Sequence, residues 1–265
     1  MSVSDTVLTK SEYIQHHMQN WQLNLHSFTF GDGGFWTLDL DTVLISFLLG
    51  VGFLYLFYHY CARATSGIPG RVQNFIEMSI ESIDKITGES THMDKQFIAS
   101  MALTVFFWVF LMNFMDLVPV DLIPMVMGWF GISHFRAVPT ADPAMTFAMS
   151  IVVFLLIIYY NFKAKGALNL SQEVLSKPFG WWGLPINVAF RVIEEVVKPI
   201  SLSLRLYGNL FAGEIVFILI ALLPWWIQFP LGFVWTIFHL LVIVIQAFIF
   251  MMLTVVYLGL AQESH

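Results

Sequence analysis

The chain has 265 residues, of which 58% are hydrophobic and 11% charged, whereas soluble domains carry about 25% charged residues. Its formal charge of −6 and the absence of clustered lysine and arginine exclude a basic nucleic-acid footprint. The single cysteine, Cys61, excludes an internal disulfide and a cysteine-based metal cluster.

This composition reads as an integral membrane protein with several spans. The 26 Phe and 9 Trp suit lipid interfaces, where aromatic rings collect. The expected fold is all-α, with about five membrane-embedded helices and a long, steeply tilted pair near the C-terminus.

Residues 1–39 form a polar tail on the outside, with a short amphipathic helix predicted near residues 12–21. The tail has no basic n-region and no apolar h-region, so no cleaved signal peptide is expected. His16 and His17 are adjacent there, but no further ligand has metal-site spacing. Residues 40–262 read as one membrane domain, with no tandem repeat and no low-complexity linker. The first span is residues 40–60, near the ~20 residues a crossing needs. Residues 62–95 hold nine of the chain's charged side chains. Within them, residues 68–86 carry Val72, Phe75, Ile76, Ile80 and Ile83 on one side, which suits a helix lying on the membrane surface. The second span is residues 97–115, followed by a polar stretch with Asp116, Pro119, Asp121 and Pro124. The third is residues 144–162, the fourth 187–223 and the last 233–260, with residues 224–229 as the connecting turn.

Lysine and arginine distribution sets the orientation. The tail has Lys10 alone, whereas the loop after the first span has Arg63, Arg71, Lys85 and Lys95. The loop after the second span has Arg136 alone, and that after the third has Lys163, Lys165 and Lys177. This alternation places the N-terminus outside and the C-terminus in the cytoplasm.

Residues 187–223 carry the unusual chemistry. As one helix they extend roughly 55 Å at 1.5 Å per residue, well beyond a hydrocarbon core ~30 Å thick. Steep tilt is favoured over a break at Pro199, because the polar pattern resumes in register. Glu194, Lys198, Ser201, Arg205 and Asn209 step by 4, 3, 4 and 4, which stacks them on one face. Glu194 and Lys198 can pair at i,i+4, as a structural ion pair or as part of a path. Arg205 keeps its proton in any environment. Its cost at mid-bilayer runs from roughly 3 to above ~10 kcal/mol, so an ionisable residue at this depth is a functional candidate by default.

Glu214 lies nine residues after Arg205, hence on the opposite face, and cannot pair with it along this helix. Two separate aqueous pockets, one from each side, fit that arrangement. Gly208 and Gly213 remove bulk and let another helix approach. In the last span His239 and Gln246 share a face, and a histidine is suited to passing protons. Ser203 and Thr236 read as helix-packing hydroxyls. Asp116 and Asp121 flank a span end, where solvated carboxylates are ordinary.

The stretch PISLSLRLYGNLFAGE, from Pro199 to Glu214, resembles the signature of subunit a of bacterial F-type ATP synthases. ATSGIPGRVQNFIE from Ala64, WVFLMNFMDLVPVDLIP from Trp108 and HLLVIVIQAFIFMMLTVVYL from His239 extend the resemblance over most of the chain. It implies a stator subunit of the bacterial inner membrane that packs against a ring of c subunits, beside subunit b and the rest of the F1Fo complex. Arg205 would face each passing c-subunit carboxylate between two half-channels and block direct leak. Glu214 and His239 would line the outer half-channel, with Asn113 and Asp116 near its mouth. Asn209 and Gln246 would lie near the arginine. Glu194, Glu195 and Lys198 would border the cytoplasmic exit, and Ser201 would line a half-channel. Some family members carry an acid where this chain has Arg191. No cofactor or metal is implied. With no Gly-rich loop ending in Lys-Ser/Thr, nucleotide is expected on other subunits.

Two rivals stand beside this reading. A self-contained ion-coupled transporter would show internal repeats and broken helices around a midplane site. An intramembrane hydrolase would need a nucleophile–base pair or a His-Glu-x-x-His motif, which is absent.

Overall fold

A computed structural model of the chain describes residues 20–30, 36–65, 67–90, 95–118, 122–129, 135–136, 138–176 and 183–262. Residues 12–19 of the predicted tail helix, His16–His17, Asp121 and Lys177 lie outside the described residues.

The described tail is a small hairpin. Strand β1 (Gln22–Asn24) pairs antiparallel with β2 (Thr37–Asp39), with Leu23 opposite Leu38. It leads directly into helix α1 (Leu40–Ala62). Helix α2 (Arg71–Ser90) follows on the charged side. Of the five apolar residues predicted on its one face, Ile76 and Ile83 are buried, while Val72, Phe75 and Ile80 remain exposed. Phe75 still meets the Phe107 ring of the following helix edge-on at 6.0 Å.

Helix α3 (Lys95–Phe114) ends in a 3₁₀ turn, Met115–Leu117, and a short helix α4 (Leu122–Gly128) comes next. A second 3₁₀ turn, Pro139–Ala141, delivers the chain to α5 (Pro143–Ser176). Asp142 caps α5, its Oδ1 accepting the Ala144 N–H at 2.8 Å. Such a cap satisfies one of the free donors at a helix start. Gly166 interrupts α5 with φ +73°, a backbone setting that only glycine adopts freely.

The two long helices are α6 (Leu184–Ala221) and α7 (Trp225–Gln262), each 38 residues. Both run through a proline, Pro199 and Pro230, without a break. The turn between them is only three residues. Helix α7 therefore starts at Trp225, inside the stretch predicted as a loop, because the Pro224 carbonyl accepts the N–H groups of Ile227 and Gln228 at 3.0 Å. Among the described residues five helices, α1, α3, α5, α6 and α7, are long and apolar enough to cross a membrane.

The core lies where α3, α5, α6 and α7 meet. Leu202, Leu206 and Leu210 recur every four residues on α6 and are buried. They join Ile98, Ala102, Val109 and Met112 of α3 and Phe250, Met251, Val255 and Leu258 of α7. In lipid, apolar contact alone distinguishes little between protein and solvent, so close packing and hydrogen bonds hold such a bundle. Ser203 and Thr146 supply one such bond, Oγ to Oγ1 at 3.2 Å between α6 and α5. Thr236 instead returns its hydroxyl to the Gly232 carbonyl of its own helix.

Helix α1 makes one close approach to α3. A Cβ on Gly50 would lie 3.2 Å from the Trp108 ring, and Trp108 Nε1 donates to the Ser46 carbonyl at 3.0 Å. Gly50→Leu is expected to displace that ring and cost about 1–3 kcal/mol, the usual scale of overpacking. Gly52 has open space around it, so Gly52→Leu is expected to leave stability unchanged. Thermal denaturation in detergent, compared between the two variants, checks the contrast.

Asp142 adds a pH dependence. Burial pushes its carboxyl up to about 6 from 3.8, against the opposing Ala144 N–H and with the nearby Asp39 charge adding to the rise. The folded chain thus holds a proton that the unfolded chain releases. The stability from this group is present below pH ~4 and is lost as pH rises through ~6. Melting temperatures taken from pH 4 to 7 should show a fall that Asp142→Asn flattens.

Candidate functional site

Three polar groups lie along α6, separated by apolar packing. The first, at its N-terminal end, is a half-buried ionic cluster in which Glu194 alone is exposed. Arg191 Nη2 meets Glu195 Oε1 at 3.1 Å, and Lys198 Nζ lies 3.1 Å from Glu195 Oε1 and 3.4 Å from Glu194 Oε1. Such i,i+3 and i,i+4 pairs follow from helical spacing and contribute only a few tenths of a kcal/mol each. The predicted Glu194–Lys198 pair is present, but Glu195 and Arg191 tie it into a four-membered network. Ser201 is half-buried one turn further on.

The second group is Arg205 with Asn209. Both are exposed on the surface of the isolated chain. Val197, Ile200 and Leu204, on the flank of α6 next to that face, are exposed and apolar. Among the described residues Arg205 has no carboxylate partner and no hydrogen bond. Asn209 Nδ2 donates to Gln246 Oε1 at 2.7 Å, which locks α6 to α7 one turn beyond the arginine. Gly208, expected to receive a neighbouring helix, has open space around it. That gap lies on the same exposed side as Arg205.

The third group is buried at the other end of α6. Glu214 is 5% exposed and Arg136, from the loop before α5, is 7% exposed. Arg136 Nε donates to Glu214 Oε1 at 3.1 Å, and Nη2 meets Oε2 in close contact. The guanidinium fork thus takes both carboxylate oxygens, the strongest form of this pairing. Burial alone would push the Arg136 guanidinium down, but the Glu214 carboxylate overrides it and the net shift is upward. Beside this pair, His239 Nε2 of α7 and Asp116 Oδ2 of the turn after α3 are in close contact, both buried. The His239 ring is held between Phe217, edge-on at 5.4 Å, and Trp235, stacked at 6.1 Å. Gly213 makes room for it: a Cβ there would overlap the imidazole. Gln246 lies seven residues further along α7 and is buried, with its Nε2 unpaired.

Asn113, one turn before Asp116, is fully buried with neither amide atom hydrogen-bonded to protein. Leaving both unpaired costs roughly 1–3 kcal/mol per group. A buried amide in this state is a site for ordered water, which needs two or more polar partners.

The expected residues therefore fall into separate places. Asp116, Glu214 and His239 come together in one buried cluster. Asn209 and Gln246 bond to each other. Glu194, Glu195 and Lys198 group at the opposite end of α6. Arg205 lies between the ends on the outer face, roughly 14 Å of helix rise from Glu214. Sequence reasoning missed Arg136, which entered it only as a loop charge. The available signal was that Arg136 is the sole basic residue of its loop, in a chain whose intramembrane Glu214 has no lysine or arginine three or four residues away on its own span.

The model of the family described as ATP synthase A chain matches residues 43–259. A protein named ATP synthase subunit a from Coxiella burnetii (strain CbuK_Q154) is 66% identical, with 97% of this chain and 98% of that protein aligned. Those of the same name from Alkalilimnicola ehrlichii and Shewanella sp. (strain W3-18-1) are 52% and 50% identical, over 96% and 100% of this chain and 97% and 100% of theirs. With its five long apolar helices and this match from end to end, the chain belongs to the ATP synthase A chain family, the membrane subunit a of ATP synthase.

Proposed function

We propose that this chain forms the stationary proton path of an F-type ATP synthase, with two half-channels that meet at Arg205 beside a rotating ring of c subunits. ATP synthesis and proton transport follow from the family; the arrangement of the path is our reading. The observation that carries it is the exposure of Arg205 among apolar side chains on a helix long enough to span the bilayer. A guanidinium facing hydrocarbon there would cost several kcal/mol. A partner that brings a carboxylate to that face removes the cost, and a ring of c subunits brings one after another.

The outer half-channel in this reading runs past Asp116, His239, Glu214 and Asn113. The cytoplasmic one runs past Ser201, Lys198, Glu194 and Glu195. Neither reaches the other except by way of the ring carboxylate next to Arg205. One charge crossing 100 mV releases about 2.3 kcal/mol, which a continuous water wire would dissipate. The fixed cation forces the proton onto the moving carrier and favours the ionised carboxylate as it passes. Lysine and arginine placement gives a multi-pass subunit of the bacterial inner membrane, with its N-terminus outside. Subunit b and the catalytic head complete the assembly, and nucleotide binds on those other subunits. A self-contained transporter would enclose its essential cation among its own helices, whereas Arg205 lies on the outside of this bundle.

Arg205→Ala is expected to abolish ATP-driven acidification of inverted membrane vesicles while the c subunits still co-purify with the chain. Normal acidification by that variant would refute the role. Gly213→Leu is expected to push His239 out of place and slow acidification by at least roughly tenfold, the usual consequence of a misplaced reacting group. An unchanged rate would remove His239 from the path.

A further inference from the structure

Asp41 is fully buried at the start of α1, and no part of the proton path described above uses it. Its carboxylate has a defined set of partners. Oδ2 accepts the backbone N–H of Trp21 at 3.0 Å and that of Arg136 at 2.9 Å. Oδ1 accepts the N–H of Thr42 at 2.8 Å. Segments 20 residues before and 95 residues after Asp41 thus meet on one side chain.

The bond to Arg136 matters because of what Arg136 does next. Its backbone hangs on Asp41, and its guanidinium forks onto Glu214 of α6. An arginine side chain has several rotatable bonds, and a two-point contact needs its root fixed as well as its tip. The loop that carries Arg136 has no regular structure at that point, so no helix or strand ladder supplies the anchor. Asp41 supplies it instead.

We propose that Asp41 is a positioning residue for the outer half-channel: it fixes the backbone of Arg136 so that the guanidinium holds Glu214 in place. This rests on the reading of Glu214 as part of the proton path. Asp41 acts as an acceptor of amide hydrogens, and its negative charge is not what the path requires. That separates it from the carboxylates that face the proton.

The test uses the whole ATP synthase in inverted vesicles, with initial ATP-driven acidification as the readout and c-subunit co-purification as the assembly control. Asp41→Asn keeps one oxygen able to accept from both Trp21 and Arg136, so its rate should stay within about twofold of the parent. Asp41→Ala removes the anchor and should slow acidification roughly tenfold. Arg136→Ala should cause a similar loss, and the Asp41→Ala/Arg136→Ala pair should be no slower than the slower single variant, because both remove one unit. Losses that multiply in the double variant would overturn the proposal, as would an Asp41→Asn variant as slow as Asp41→Ala. If Asp41→Ala does not assemble, the Asn variant decides alone: a rate near the parent's supports positioning, and a tenfold loss overturns it. A vesicle preparation in which Arg205→Ala still pumps would sink the underlying reading, whichever way the Asp41 cycle falls.

Discussion

A positive charge that cannot be neutralised stands on the outer surface of the helix bundle, surrounded by residues that belong in lipid. Arg205 is the constraint to which the rest of the chain answers. A fully buried arginine would have to find its partner within the fold, and Arg136 does so with Glu214. Arg205 has no carboxylate partner among the described residues, and the proposed function assigns its counter-charge to the ring of c subunits. The polar residues of α6 are arranged around that requirement, with the ionic cluster of Glu194, Glu195 and Lys198 at one end and Glu214 at the other.

The contrast between the two arginines explains why one end of the bundle is closed and the other face open. Taking both members of an ion pair out of water costs several kcal/mol per ion, which only good geometry and further hydrogen bonds offset. Arg136 and Glu214 meet that condition with a two-point contact, and Asp116 lies against His239 alongside. Gly213 gives the imidazole its space, and Asn113 leaves two polar atoms for water. The members of this cluster are desolvated and close together, as the proposed outer half-channel requires. Around Arg205, by contrast, Gly208 and Asn209 leave the surface low and accessible to a partner.

Much of this was legible in the sequence because helical spacing is rigid. The 4, 3, 4, 4 stepping from Glu194 to Asn209 survives Pro199, since a single lost backbone bond did not break α6. The opposition of Arg205 and Glu214 follows from nine residues at about 100° each. Other features depend on contacts between segments far apart in the chain. Arg136 reaches Glu214 across 78 residues and Asp41 holds Arg136 across 95, and no local pattern encodes either separation. The start of α7 was misjudged for a different reason. Trp225 and Trp226 read as part of a turn, yet aromatic residues at a helix start are compatible with helix once a preceding carbonyl accepts the N–H groups of the first turn. The hairpin at residues 22–39 escaped notice because each strand has only three residues.

The most direct measurement is a density map of the assembled complex at a resolution that shows water. The account predicts the Arg205 guanidinium opposite a c-subunit carboxylate, with ordered water in two inlets that end on opposite sides of it. A guanidinium turned toward lipid or toward its own bundle, or one unbroken column of water passing beside it, would contradict the account.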